Sequence, residues 1–217
     1  YGFHHIGLPC CNCHTCKTSC YDFIMLELLF TSPFAFIIVF GGLIVAIGIH
    51  EAAHCYMADY LGDPTPRALG RTTLNPIAHL DLVGTLMILV TGRFGWGKPA
   101  PFDPYNLQNP QRDTALIALA GPISNILLAI GLSLVFHLLS NLSILGILKY
   151  LISLNLNLAL FNLIPVPPLD GSKIFLGKSP FGEHNSTMSL IILIVVVMPL
   201  ASYIISPISS FLLSLLI

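Results

Sequence analysis

The stretch "GLIVAIGIHEAAHCYMADY", residues 42–60, decides how the chain is read. Its first half is as apolar as a membrane span, and His50, Glu51 and His54 follow without any break in helical character. Ionisable groups at membrane depth cost about 2.5–3.5 kcal/mol each on insertion scales, so they are rare there and mark function. On a helix, His50 and His54 stand at i and i+4 on one face, a spacing from which two imidazoles reach a single Zn2+. Glu51 lies beside that position, where it can take a proton from an attacking water. A chain of this composition would contain the pattern roughly 0.004 times by chance. The alternatives are a hydrogen-bonded pair of core histidines or an ion pair at a helix end.

The rest of the chain fits a membrane setting. Of 217 residues, 55% are hydrophobic and only 9% charged, with a mean hydropathy of +0.84. A soluble domain carries about 25% charged residues, so this composition cannot coat a water-facing globule. The chain is read as an all-α polytopic membrane protein, and a net charge of −1 points to no nucleic-acid partner.

A spanning helix needs about 20 apolar residues. The first span opens at Ser32 and Pro33 and ends at Gly62; a second runs from about Thr114 to Leu139 and a third from about Ile147 to Pro165. "LVGTLMILV", residues 82–90, is too short to cross and reads as re-entrant. The C-terminal run adds one span and part of another, with Pro199 and Pro207 as kinks or a turn, for about four to six in all. Residues 1–24 form a Cys-rich segment, 25–178 a membrane-embedded core and 179–217 the C-terminal spans. In the first segment, Cys13 and Cys16 with His14 have zinc-knuckle spacing, and Cys10, Cys11 and Cys20 could join them in disulfides. The other reading is a disordered or non-native leader ahead of Met25, to which His4 and His5 would belong.

A catalytic zinc takes three protein ligands and keeps a fourth position open. The strongest candidate for the third ligand is Asp170 in "FNLIPVPPLDG". Pro165, Pro167 and Pro168 cannot continue a helix, and non-helical backbone at membrane depth is tolerated only when buried or lining a cavity. Gly171 is expected to permit a tight turn after the carboxylate. In a soluble protein the same string would be an ordinary Pro-rich loop with an Asp-Gly turn.

"HEAAH" with "NLIPVPPLDG" resembles the site-2 protease family of intramembrane zinc metalloproteases, and "HLDLVGT", "GWGKPAPF" and "AGPISN" are similar to blocks of its small prokaryotic members. The likeness runs from about Pro33 to Lys178; the Cys-rich start has no counterpart in the family. It implies a zinc metalloendopeptidase with one Zn2+ per chain, held by His50, His54 and Asp170, with Glu51 as catalytic base. Its asparagine before the Pro-rich turn falls on Asn162. The implied activity is hydrolysis of peptide bonds within or near transmembrane segments, and the implied partners are the lipid bilayer and a single-pass membrane protein substrate. A metal transporter or sensor using the same ligands is the competing class, and an inactive homologue is a further alternative.

Topology offers an independent check. "HEAAH" and "LDG" both lie at C-terminal ends of spans, so the two spans must run parallel with an odd number of crossings between them. Residues 114–139 supply that one crossing, provided 82–90 does not cross, which gives a three-helix catalytic core. Arg67, Arg71, Arg93, Lys98 and Arg112 lie between the first two spans, and Lys173 and Lys178 follow "LDG". The connection over residues 140–149 holds only Lys149. The positive-inside rule then places the active-site face of a multi-pass cell-membrane protein in the cytoplasm.

Lesser candidates carry two readings each. Asn162 either bonds the substrate or developing oxyanion, or forms a helix–helix hydrogen bond, as Asn155 and Asn125 are expected to do. His79 and Asp81 either orient ligands or serve the fold. "TGRFGWGKPAPF" either offers a strand edge to an extended substrate, or is a surface loop with Trp96 at the headgroup level. His137 and His184 are read as incidental.

Overall fold

The computed structural model describes residues 25–91, 95–139, 142–175 and 198–217. The Cys-rich start, His184 and the first part of the C-terminal apolar run lie outside those residues. The described chain is helical: α1 (Met25–Thr31), α2 (Pro33–Tyr60), α3 (Thr65–Ala68), α4 (Leu82–Thr91), α5 (Pro110–Leu138), α6 (Leu142–Asn162), α7 (Asp170–Phe175) and α8 (Met198–Leu216). Two 3-10 turns, Pro76–His79 and Pro104–Asn106, punctuate the stretch before α5.

The long helices begin and end where local chemistry dictates. Pro33 occupies the first position of α2 after Ser32, whose side chain makes no capping bond. The helix runs 28 residues, or about 42 Å at 1.5 Å per residue, and Gly62 leaves it with φ 106°. In α5, Pro110 again takes the first position, and the Asp113 carboxylate accepts the backbone N–H of Asn109 at 2.9 Å. That cap extends α5 four residues earlier than hydropathy suggests, because a span can project beyond the apolar layer. Helix α6 is displaced toward its N-terminus relative to the expected span and stops at Asn162. Residues ahead of a proline disfavour helical backbone, so the turn prepares its own start before Pro165.

Helices α2, α5 and α6 pack on one another as a three-helix core. All three are long and apolar enough to cross a membrane. The outward faces of α2 and α5 carry Phe34, Ile37, Leu127 and Leu134, more than half exposed, which is how lipid-facing surface looks without its lipid. Helix α5 runs antiparallel to α2 and α6. Helix α8 lies antiparallel along α6, with Leu213 packed against Ile152, Leu156 and Ala129, and Ile205 against Leu169.

Helix α4 has ten residues, about 15 Å, and cannot cross. Asp81 starts it, accepting the Gly84 N–H at 2.8 Å. Beyond α4 the chain returns extended: Gly97 forms an isolated antiparallel bridge with Leu80, and Lys98 N–H donates to the His79 carbonyl at 2.8 Å.

Between α6 and α7, residues 163–169 are non-helical and include a cis Pro167–Pro168 bond. Gly171, expected from sequence to permit a tight turn after the carboxylate, sits inside the first turn of α7. A Cβ there would meet the Leu163 and Ile164 carbonyl oxygens at 2.3 and 2.4 Å. Glycine is required so that the backbone folds tightly over itself and brings Asp170 inward.

Candidate metal centre

The C-terminal half of α2 and the start of α7 meet on the same face of the bundle. His50 Nε2 and His54 Nε2 each lie 3.1 Å from Asp170 Oδ2. All three residues are buried, at 5–6% exposure. Their donor atoms, two imidazole nitrogens and a carboxylate oxygen, lie within 4.8 Å of one another. A tetrahedral Zn2+ with bonds of about 2.0–2.2 Å has neighbouring ligand atoms about 3.3–3.5 Å apart, so both measured separations fall close to what the cation needs. The chemistry and spacing of the donors therefore fit zinc.

Each donor is held by something behind it. His54 Nδ1–H donates to the Ile117 carbonyl at 2.7 Å; a carbonyl can only accept, so Nε2 is left as a lone pair facing Asp170. Behind His50, Asn125 Nδ2 stands 3.2 Å from Nδ1. Lys173 donates to Asp170 Oδ1 at 3.3 Å, leaving Oδ2 to the histidines. A metal takes the carboxylate in its ionised form and each imidazole through a nitrogen free of its proton.

Helix α5 reaches the cluster because residue 121 has no side chain. A Cβ on Gly121 would lie 2.5 Å from His54 Nε2 and 2.6 Å from His50 Nε2. Gly121 and Asn125 stand four apart on one face of α5, within the "AGPISN" block. Sequence reasoning gave Asn125 a helix–helix bond and Gly121 no role. The detectable signal was the four-residue spacing of a glycine and an asparagine in an apolar span.

Glu51 is outside the three-donor cluster. Its Oε2 accepts the Ala100 N–H at 3.0 Å, across from the extended segment after α4. That segment is anchored by polar groups: Arg71 donates to the Lys98 carbonyl at 2.6 Å. His79, fully buried, donates from Nε2 to the Thr73 carbonyl at 2.9 Å and accepts from Arg71 at Nδ1 at 3.4 Å. Both of its nitrogens are spent, so His79 braces the wall opposite Glu51. Asp81 caps α4. Asn162 donates to the Leu158 carbonyl within its own helix at 2.9 Å, and Asn155 does the same toward Leu151.

The model of Peptidase family M50 matches residues 138–200. The chain is 41% identical over 182 residues to "Putative zinc metalloprotease YwhC" of Bacillus subtilis (strain 168), covering 76% of this chain and 82% of that relative. It is 29% identical over 143 residues to "Putative zinc metalloprotease Rip2" of Mycolicibacterium smegmatis, covering 63% of this chain and 55% of that relative. The same-named protein of Mycobacterium tuberculosis (strain ATCC 25618 / H37Rv) is 30% identical over 144 residues. No solved structure gives a significant match.

Proposed function

The chain belongs to peptidase family M50, the site-2 protease family of zinc metalloproteases, and from that premise we propose that it cleaves membrane proteins within or near their transmembrane segments. The single observation that carries this reading is the meeting of Asp170 with His50 and His54, 3.1 Å from each, against a helix otherwise built for lipid. We assign these three as the ligands of one Zn2+. When bound, the cation would supply Lewis-acid polarisation of the attacking water and of the scissile carbonyl.

The remaining steps fall to the chain. Glu51, fixed through one oxygen by the Ala100 N–H, takes the proton of the water and returns it to the leaving amine; a positioned general base of this kind is worth about 10²–10⁴-fold. Its place outside the donor cluster speaks against a transport site, which would be expected to spend the carboxylate as a ligand. A helical substrate hides its backbone, so it must unwind before attack. The extended stretch through Gly97 and Ala100, already bridged to Leu80 on one edge, is suited to pair with such a segment as an added strand. Asn162 is a substrate-binding candidate only if its amide leaves Leu158. The cationic residues Arg67, Arg71, Lys98, Arg112 and Lys173 border the same end of the bundle. We therefore place the site at the cytoplasmic side of the cell membrane.

The test is co-expression of the wild type and Glu51→Gln with a panel of tagged single-pass membrane proteins. Cleavage products that vanish in the variant are expected. Identical patterns across the panel would overturn the protease reading.

A further inference from the structure

Asn125 is fully buried on α5, and its Oδ1 has no hydrogen-bond partner although its Nδ2 faces His50 Nδ1 at 3.2 Å. With the amide so oriented, Nδ2 donates into the Nδ1 lone pair, and the His50 proton must sit on Nε2, toward Asp170. That tautomer has no Nε2 lone pair to offer a cation. A histidine that gives Nε2 to a metal keeps its proton on Nδ1, and that proton needs an acceptor.

Half a turn about the Cβ–Cγ bond exchanges the amide's oxygen and nitrogen, two atoms nearly indistinguishable in size. The oxygen then faces Nδ1–H, and a buried acceptor otherwise left without a donor gains one. Asparagines in apolar helices usually bond across to a neighbouring helix, but here the neighbour's atom is the back of an imidazole. We propose that Asn125 is a positioning residue of the zinc site: its side-chain oxygen accepts the Nδ1 proton of His50, fixing the tautomer and ring plane that present Nε2 to the cation. The two ligand histidines are thus held differently. Ile117 offers His54 a carbonyl that can only accept, whereas Asn125 offers His50 an amide that serves either tautomer.

The inference rests on the reading of His50 as a ligand, so zinc affinity of the wild type is measured alongside. The full chain is purified in detergent, and zinc is titrated against a chromophoric chelator. Asn125→Leu is expected to bind zinc about 10–100-fold more weakly with its melting temperature little changed. Asn125→Asp, whose oxygens can only accept, is expected to recover most of that loss. A merely packing role would give the reverse order, with leucine tolerated and a buried carboxylate not. An Asn125→Leu chain of wild-type affinity, or an Asn125→Asp chain as weak as the leucine variant, overturns this inference alone. A wild type that takes up no zinc overturns the ligand reading and this inference with it. Should a variant fail to fold, nitrogen-15 spectra of the histidine-labelled, zinc-loaded wild type decide. Two rings with a metal-shifted Nε2 and a protonated Nδ1 are expected, and a single such ring overturns the proposal.

Discussion

Two ends of one bundle carry histidines that bond to backbone carbonyls, and they do opposite things. At the far end, His137 donates from Nε2 to the Leu216 carbonyl at 2.9 Å, and Ser133 donates to the same oxygen. The acceptor is an orphan carbonyl of the last turn of α8, and His137 is exposed. The bond finishes a helix. At the other end, His54 bonds to the Ile117 carbonyl in the interior of α5, where the helix has no need of it. There the bond orients a ring whose second nitrogen points at Asp170. A histidine in an apolar chain therefore signals function through the lone pair it leaves uncommitted, and through what that lone pair converges on.

The comparison can be broken most sharply at Glu51. Substitution Glu51→Gln should cost about 10²–10⁴-fold in cleavage, while zinc affinity stays near wild type; parallel loss of zinc would make Glu51 a ligand. Next in size is Gly121→Ala, whose added methyl would press on the imidazoles of both His50 and His54. A displacement of about 1 Å at a reacting centre costs on the order of 10²-fold, so both kcat/KM and zinc affinity should fall, and wild-type values would show that α5 does not approach so closely.

Asp63 tests the polar scaffold behind the site. It is fully buried after α2 and accepts bonds from Thr65, Asn106 and the Asp103 N–H. Burial would push its carboxyl up, but those bonds outweigh it and hold it below the ordinary carboxylate value. A depressed folded-state value means that its contribution is full above the unfolded-state value, about 3.9, and is lost as pH falls through the folded one. Asp63→Asn should therefore cost about 2–3 kcal/mol at neutral pH and shrink the acid-side loss of thermal stability; an unchanged acid limb would contradict this. The smallest effect belongs to His137→Ala. It should lower stability by about 1 kcal/mol or less and leave cleavage and zinc affinity untouched, and a loss of zinc would erase the distinction between the two ends.

How much of this was legible in the sequence depends on what each residue does. The i, i+4 histidines and the Pro-rich turn before Asp170 announce themselves, because an apolar span has few other reasons to hold them. Parallel ends of α2 and α6 followed from counting crossings, and α4 followed from its length. Span boundaries were less visible: Pro110 and the Asp113 cap start α5 among charged residues, where hydropathy sees none of it. The supports of the site were least visible. The Ile117 carbonyl has no signature, since every residue has one. Gly121 becomes necessary only once α5 is laid across two imidazoles, and Asn125 only once the ring behind which it stands has a preferred tautomer. Gly171 was singled out for a turn, whereas a close backbone approach requires it.

The central claim is that His50, His54 and Asp170 share one cation while Glu51 stands free of it. Zinc content per purified chain, measured for the wild type, Glu51→Gln and Asp170→Ala, tests it most directly. One zinc in the wild type, one in Glu51→Gln and a large deficit in Asp170→Ala is the predicted result. Full zinc in Asp170→Ala, or none in Glu51→Gln, would contradict it.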